Sequence, residues 1–120
     1  MNESGFIATV TKKLPAEVYA WKINARFAPG VPDCWYSGPN GDLWVEWKLL
    51  PKMLTRHKPK LSKKQLEWLS DRYDQGRQVA VMVGSPQGTM IYLNKDWTSQ
   101  QKVDRLYSRQ EIADWITSMV

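Results

Sequence analysis

VPDCWYSGPNGDLWVEWK, residues Val31 to Lys48, places Pro32 and Asp33 before a Ser-Gly-Pro-Asn-Gly-Asp turn and a strand-like run that ends Glu46-Trp47-Lys48. Aromatic and β-branched residues on both sides of such a turn read as a β-hairpin, with a second strand from about Val31 to Tyr36 and a third over "LWVEWKL". Successive side chains in a strand point to opposite faces, so Trp44, Glu46 and Lys48 share one face while Leu43, Val45 and Trp47 take the other. If the hairpin closes around Pro39 and Asn40, Asp33 falls opposite Glu46; if Asn40 and Gly41 form a two-residue turn, it falls opposite Lys48. Both registers bring Asp33 to the face of Glu46 and Lys48.

Upstream, Phe6, Ile7, Val10 and Leu14 recur at helical spacing and Pro15 ends the pattern, which predicts an amphipathic first helix from Glu3 to Leu14. "EVYAWKI", Glu17 to Ile23, is the first strand. Downstream, the basic, proline-containing segment from Leu49 to Lys60 has no clear period and reads as a loop, mobile unless something anionic orders it. A second helix follows, with Ser62 as its N-cap and Gly76 as its C-cap. "VAVMVG" is an apolar run of buried-strand type, and "GTMIYL" is its hairpin partner. A last helix starts at the Ser108-x-x-Glu111 capping box and runs to about Met119. The order α-β-β-β-α-β-β-α predicts an α/β fold, a mixed sheet flanked by helices.

The chain of 120 residues is 42% hydrophobic, enough for one core, and no repeat or linker divides it, so residues 1–120 read as a single domain. A net charge of +5 favours an anionic partner such as nucleic acid. The single cysteine, Cys34, excludes an internal disulfide and multi-cysteine metal sites, and its parity, opposite to Asp33, makes it a buried small residue. The first 15 residues lack the apolar core of a secretory signal and no window approaches a membrane span, so a cytoplasmic protein without a membrane partner is expected.

Cross-strand neighbours lie roughly 4.5–5.5 Å apart at Cβ, close enough for two carboxylates to share one divalent ion. Without an ion, Asp33 and Glu46 would repel each other. Mg²⁺ or Mn²⁺, hard cations that take oxygen ligands, would resolve that repulsion and hold a phosphate oxygen. Lys48, one strand repeat from Glu46, has the reach to orient or help deprotonate a water, or to neutralise charge growing on phosphorus. The arrangement suits metal-assisted phosphodiester hydrolysis.

Pro32-Asp33, twelve intervening residues and Glu46-Trp47-Lys48 resemble the PD-(D/E)XK nuclease signature. The wider context, "GVPDCWY…GDLWVEWK…LSKKQLEWL…GRQVAVMVG", is similar to the small VRR-NUC branch, related to phage and archaeal Holliday-junction resolvases. The resemblance covers roughly Glu3 to Leu93 and implies a restriction-endonuclease-like α-β-β-β-α-β core, here with an added strand and a C-terminal helix. It also implies Asp33, Glu46 and the backbone carbonyl of Trp47 as metal ligands, Lys48 as the catalytic lysine, and an acid from the first helix. Glu3 suits that last role because it precedes Phe6, Ile7, Val10 and Leu14 by three, four, seven and eleven residues and shares their stripe. It is equally explained as a glutamate at a helix start, and Glu17 is the fallback. Related nucleases carry a glutamine or lysine on the next helix, which points to Gln65, although the Ser62-x-x-Gln65 capping box explains this residue without chemistry.

Seven Lys and Arg residues (Lys48, Lys52, Arg56, Lys58, Lys60, Lys63 and Lys64) precede the next acid, Glu67, and suggest contacts to a DNA backbone. His57, inside that run, reads as a surface residue. The seven tryptophans read most simply as packing, although Trp35 or Trp44 could stack on a splayed base. The reading is therefore a DNA endonuclease selective for shape (junction, flap or nick), working as a homodimer as the resemblance implies. Its competitors are a nucleic-acid-binding module that does not cleave and a small protein-interaction domain; neither needs Asp33, Glu46 and Lys48 together.

Overall fold

The computed structural model describes residues 1–23 and 28–120. Helix α1 (Glu3–Thr11) begins where the Asn2 side chain accepts a hydrogen bond from the Gly5 amide, and it buries Phe6, Ile7 and Val10. Strands β1 (Tyr19–Lys22), β2 (Cys34–Gly38) and β3 (Gly41–Leu49) follow. The first strand is shorter than the sequence suggests, and the second starts and ends later. Gly38 pairs with Gly41 and Cys34 with Val45, so the hairpin closes on Pro39 and Asn40, the first of the two registers. Continued by one residue, this register sets Asp33 opposite Glu46.

The expected loop after β3 carries a two-residue strand, β4 (Arg56–His57). Helix α2 (Lys63–Asp74) follows, with a complete Ser62–Gln65 capping box. Beyond its end, Gly76 has a φ of +82°, the left-handed conformation that a helix stop favours in glycine. Strands β5 (Val79–Ser85) and β6 (Gly88–Tyr92) form the second hairpin. A 3₁₀ turn at Asp96–Thr98 and strand β7 (Gln101–Lys102), which pairs with β4, were not legible in the sequence. Helix α3 (Arg109–Met119) starts at the expected Ser108–Glu111 box.

The main sheet has five strands in the order β1-β2-β3-β5-β6. All pairs are antiparallel except β3 with β5, which run parallel and are joined through α2. Every residue of β5 is buried, as a strand covered on both faces requires. On one face Tyr36, Leu43, Val45 and Trp47 pack against α1 and α3; on the other Val79, Val81, Val83 and Tyr92 pack with Leu69 of α2 and Trp97. Among the described residues, no helix is long and apolar enough to cross a membrane.

Candidate active site

The β2–β3 ladder stops at Cys34–Val45, and this early stop builds the site. Beyond it, among the described residues, Trp47 has no strand partner on the β2 side, where both its N–H and its C=O point. The Asp33 carboxylate takes the place of that partner: its Oδ2 accepts the Trp47 amide hydrogen at 2.9 Å. The Trp47 carbonyl lies on the same unladdered side, next to Asp33. Its indole, by contrast, is fully buried against Phe6, ring centroids 6.0 Å apart.

Glu46 points to the α2 face and is only 2% exposed. Its Oε2 accepts a hydrogen bond from Gln65 Nε2 at 2.8 Å and lies 3.3 Å from Lys48 Nζ. Among the described residues its Oε1 is buried without a partner. Gln65 does two jobs with one amide. Its Oε1 accepts from the Ser62 amide at 2.9 Å, which completes the helix cap, and meets Lys48 Nζ at 3.4 Å, while its Nε2 holds Glu46. The capping and site readings of Gln65 thus coexist in geometry.

Burial, and then the negative charge of Asp33, push the Glu46 carboxyl up to about 7, against a smaller pull from Lys48. The Glu3 carboxyl is also raised, first by burial and next by Asp33, with Lys48 acting in the opposite sense. Glu3 therefore belongs to the same electrostatic cluster, whereas Glu17 is exposed. Asn2, not Glu3, caps α1, so the glutamate side chain is not spent on the cap. The loop before Asp33 is fixed to the other side of the site. Gly30 has a φ of +94°, and a Cβ there would lie 2.5 Å from the Lys64 carbonyl oxygen in the first turn of α2.

A divalent cation fits this donor set. Among the described residues Glu46 Oε1 is a buried acceptor without a partner, and the Glu46 and Glu3 carboxyls are both raised in part by the charge of Asp33. Among the described residues, no three His, Cys, Asp or Glu side chains already converge as a ready ligand group. Asp33 Oδ2 is held by the Trp47 amide, and Glu46 Oε2 by Gln65 and Lys48.

Of the basic run, Lys48 alone enters this cluster. Lys52, Arg56, Lys58, Lys60, Lys63 and Lys64 are all exposed; Lys63 faces Glu67 at 4.0 Å, and the other five form no ion pair among the described residues. Their loop is tied down: Tyr92 Oη donates to the His57 carbonyl at 2.7 Å. Because that uses its only hydrogen, the contact of His57 Nδ1 with the same oxygen at 3.1 Å requires a protonated Nδ1 that donates. His57 is thus a clamp for the basic loop, a role that needed the position of Tyr92, thirty-five residues away, to be seen. Cys34 is buried and its thiol is pushed up to about 11 by burial, so it carries no thiolate chemistry at neutral pH.

No family model and no curated protein matches the sequence. Among solved structures, the chain is similar to Hjc, a Holliday junction resolvase from the archaeal hyperthermophile Archaeoglobus fulgidus, with a TM-score of 0.57 and 15% identity. The likeness covers 94% of this chain and 96% of that one. At this identity the shared property is the fold, and the five-stranded mixed sheet flanked by three helices is of the resolvase and restriction-endonuclease-like type.

Proposed function

We propose that the protein is a DNA endonuclease of the PD-(D/E)XK type that depends on Mg²⁺ or Mn²⁺ and selects junctions, flaps or nicks by shape. The observation that carries this reading is the Glu46 carboxylate, buried beside Asp33 with one oxygen held by Gln65 and Lys48 and the other unsatisfied. A purely structural hairpin gains nothing from such a group, since a buried carboxylate oxygen left without a hydrogen bond costs stability that an apolar side chain would not.

Asp33, Glu46, the Trp47 carbonyl and Glu3 would hold the cation, which when bound polarises the phosphodiester and lowers the pKa of a ligated water. Lys48 stands 3.3 Å from Glu46 and carries a side chain that is 26% exposed, so it reaches from the carboxylate toward solvent, where a water or a phosphate oxygen would lie. There it orients the attacking water or shares the charge that develops on the phosphate oxygens. Gln65 fixes the Glu46 carboxylate so that its second oxygen stays available. Lys52, Arg56, Lys58, Lys60, Lys63 and Lys64 contact the phosphate backbone, and a second copy of the chain would supply the second cut of a four-way junction.

The deciding experiment is a cleavage panel of linear, nicked, flapped and four-way-junction DNA with Mg²⁺ or Mn²⁺, run on wild type and Lys48→Ala. Wild type is expected to cut at least one branched substrate, and the variant to cut it at least about a hundredfold more slowly. If wild type binds these DNAs and leaves all of them intact with both metals, the protein is a binding module.

A further inference from the structure

Trp47 and Trp97 are fully buried, but four other tryptophans lie together on the α2 face of the sheet. Trp21, Trp35 and Trp44 are direct partners across β1, β2 and β3, and Trp68 of α2 closes the row. Successive ring centroids are 6.4, 6.1 and 5.4 Å apart. Tyr19 meets Trp35 from the side at 5.7 Å. On the opposite face of the same strands Ala20, Cys34, Tyr36 and Val45 pack in the first core; Trp44 and Trp68 pack against the second, whereas Tyr19, Trp21 and Trp35 belong to neither. At the open β1 edge Tyr19 is 60% and Trp21 51% exposed.

Position and chemistry narrow what this row binds. The Trp35–Trp44 pair is one side-chain repeat, about 6.7 Å, from the Asp33–Glu46 pair along the strands, so its occupant lies one step from the site. The row contains no aliphatic side chain, whereas π faces are what a nucleobase stacks on and need not exclude all water. A cation flanks it: the Arg72 guanidinium lies 5.3 Å from the Trp68 ring centroid. Toward the hairpin tip Asp42, held by the Ser37 hydroxyl at 2.6 Å, places negative charge and ends the favourable path for a phosphate backbone.

We propose that the Trp21–Trp35–Trp44–Trp68 row, with Tyr19, is a stacking platform for unpaired bases, which admits a single-stranded arm from the open sheet edge to the Asp33–Glu46 site. The proposal rests on the nuclease reading for its substrate and makes that substrate a branched DNA with a single-stranded segment.

The test measures binding of an oligothymidylate and of a blunt duplex, without divalent metal, by quenching of tryptophan fluorescence and by anisotropy of labelled DNA. Trp21→Ala and Tyr19→Ala alter exposed side chains and leave both cores intact. Each is expected to weaken oligothymidylate binding at least about fivefold and duplex binding less than about twofold, since one lost base stack is worth that much or more. Failure of wild type to bind oligothymidylate, equal losses on both ligands, or no loss on either overturns the proposal. So does a fall in sedimenting mass with single-strand affinity unchanged, which would make the row a contact between copies of the chain. The two readings separate cleanly: a wild type that cleaves branched DNA while Trp21→Ala binds single strands normally sinks the platform alone. A wild type that binds single strands through Trp21 and cleaves nothing sinks the nuclease alone.

Discussion

Replacing Glu46 by Gln should make the metal-free protein more stable at alkaline pH while removing its response to divalent metal. In the folded protein burial and Asp33 lift the Glu46 carboxyl from an ordinary 4.5 to about 7, so between these values the folded chain keeps a proton that the unfolded chain has released. Stability then falls as pH rises, because the unfolded state binds fewer protons, and the loss is complete above about pH 7. At 1.36 kcal/mol per unit of pKa, it reaches about 3 kcal/mol. Gln has the shape of the protonated acid and no charge to lose, so at pH 8 in EDTA the variant should unfold up to about 3 kcal/mol later. For 120 residues this is an increase in Tm of up to about 12 °C. At pH 4.5 the two proteins should agree within about 0.5 kcal/mol. The raised Glu3 carboxyl gives a smaller slope of the same sign, which persists in the variant. His57, whose pKa burial lowers, gives the opposite slope below pH 6.5 in both proteins, and it cancels in the difference. Saturating Mg²⁺ should then stabilise wild type by about 2.7 kcal/mol at a hundred times its dissociation constant and leave the variant unmoved. The assay is thermal unfolding by circular dichroism from pH 4.5 to 8.5, with EDTA or Mg²⁺. A variant no more stable than wild type at pH 8 in EDTA would refute the reasoning.

Further outcomes follow from the same geometry. Lys48→Ala should cut the cleavage rate by about a hundredfold to ten-thousandfold, the usual worth of a positioned acid–base group, with junction affinity within about threefold in gel-shift titrations. Gln65→Glu keeps a capping-box residue but sets a carboxylate against Glu46, so cleavage should fall while Tm in Mg²⁺ changes little; Gln65→Ala should also lose about 1 kcal/mol of helix cap in chemical denaturation. Gly30→Ala meets both an unfavourable φ and the Lys64 carbonyl, and should destabilise the fold by about 1–3 kcal/mol in urea unfolding. Lys58→Ala with Lys60→Ala should lower the slope of log K against log salt for DNA binding by about 2.

How far the sequence could be read depended on the range of the interaction that decides each element. Strand parity is local and absolute, so the shared face of Trp44, Glu46 and Lys48 followed from their spacing, and a two-residue change in the turn would not have altered it. Ser62–Gln65 and Ser108–Glu111 are equally local, and both helix starts are where the spacing puts them. The pairing of Arg56–His57 with Gln101–Lys102 had no such signal. Two residues carry no period, and the contact depends on Tyr92 and on the chain after β6 folding back. The approach of Glu3 to Asp33 is also long-range. The helical stripe shows which way Glu3 faces, but its arrival at the site depends on Phe6 packing between Trp47 and Gly84, where an added Cβ would lie 2.8 Å from the ring. The site is therefore assembled from both classes of information. The hairpin presents two acids and a lysine by local rule, and the close approaches at Gly30 and Gly84 bring α2 and α1 near enough to add Gln65 and Glu3. Substitutions at the two glycines should accordingly disturb the site without touching a single one of its charged groups.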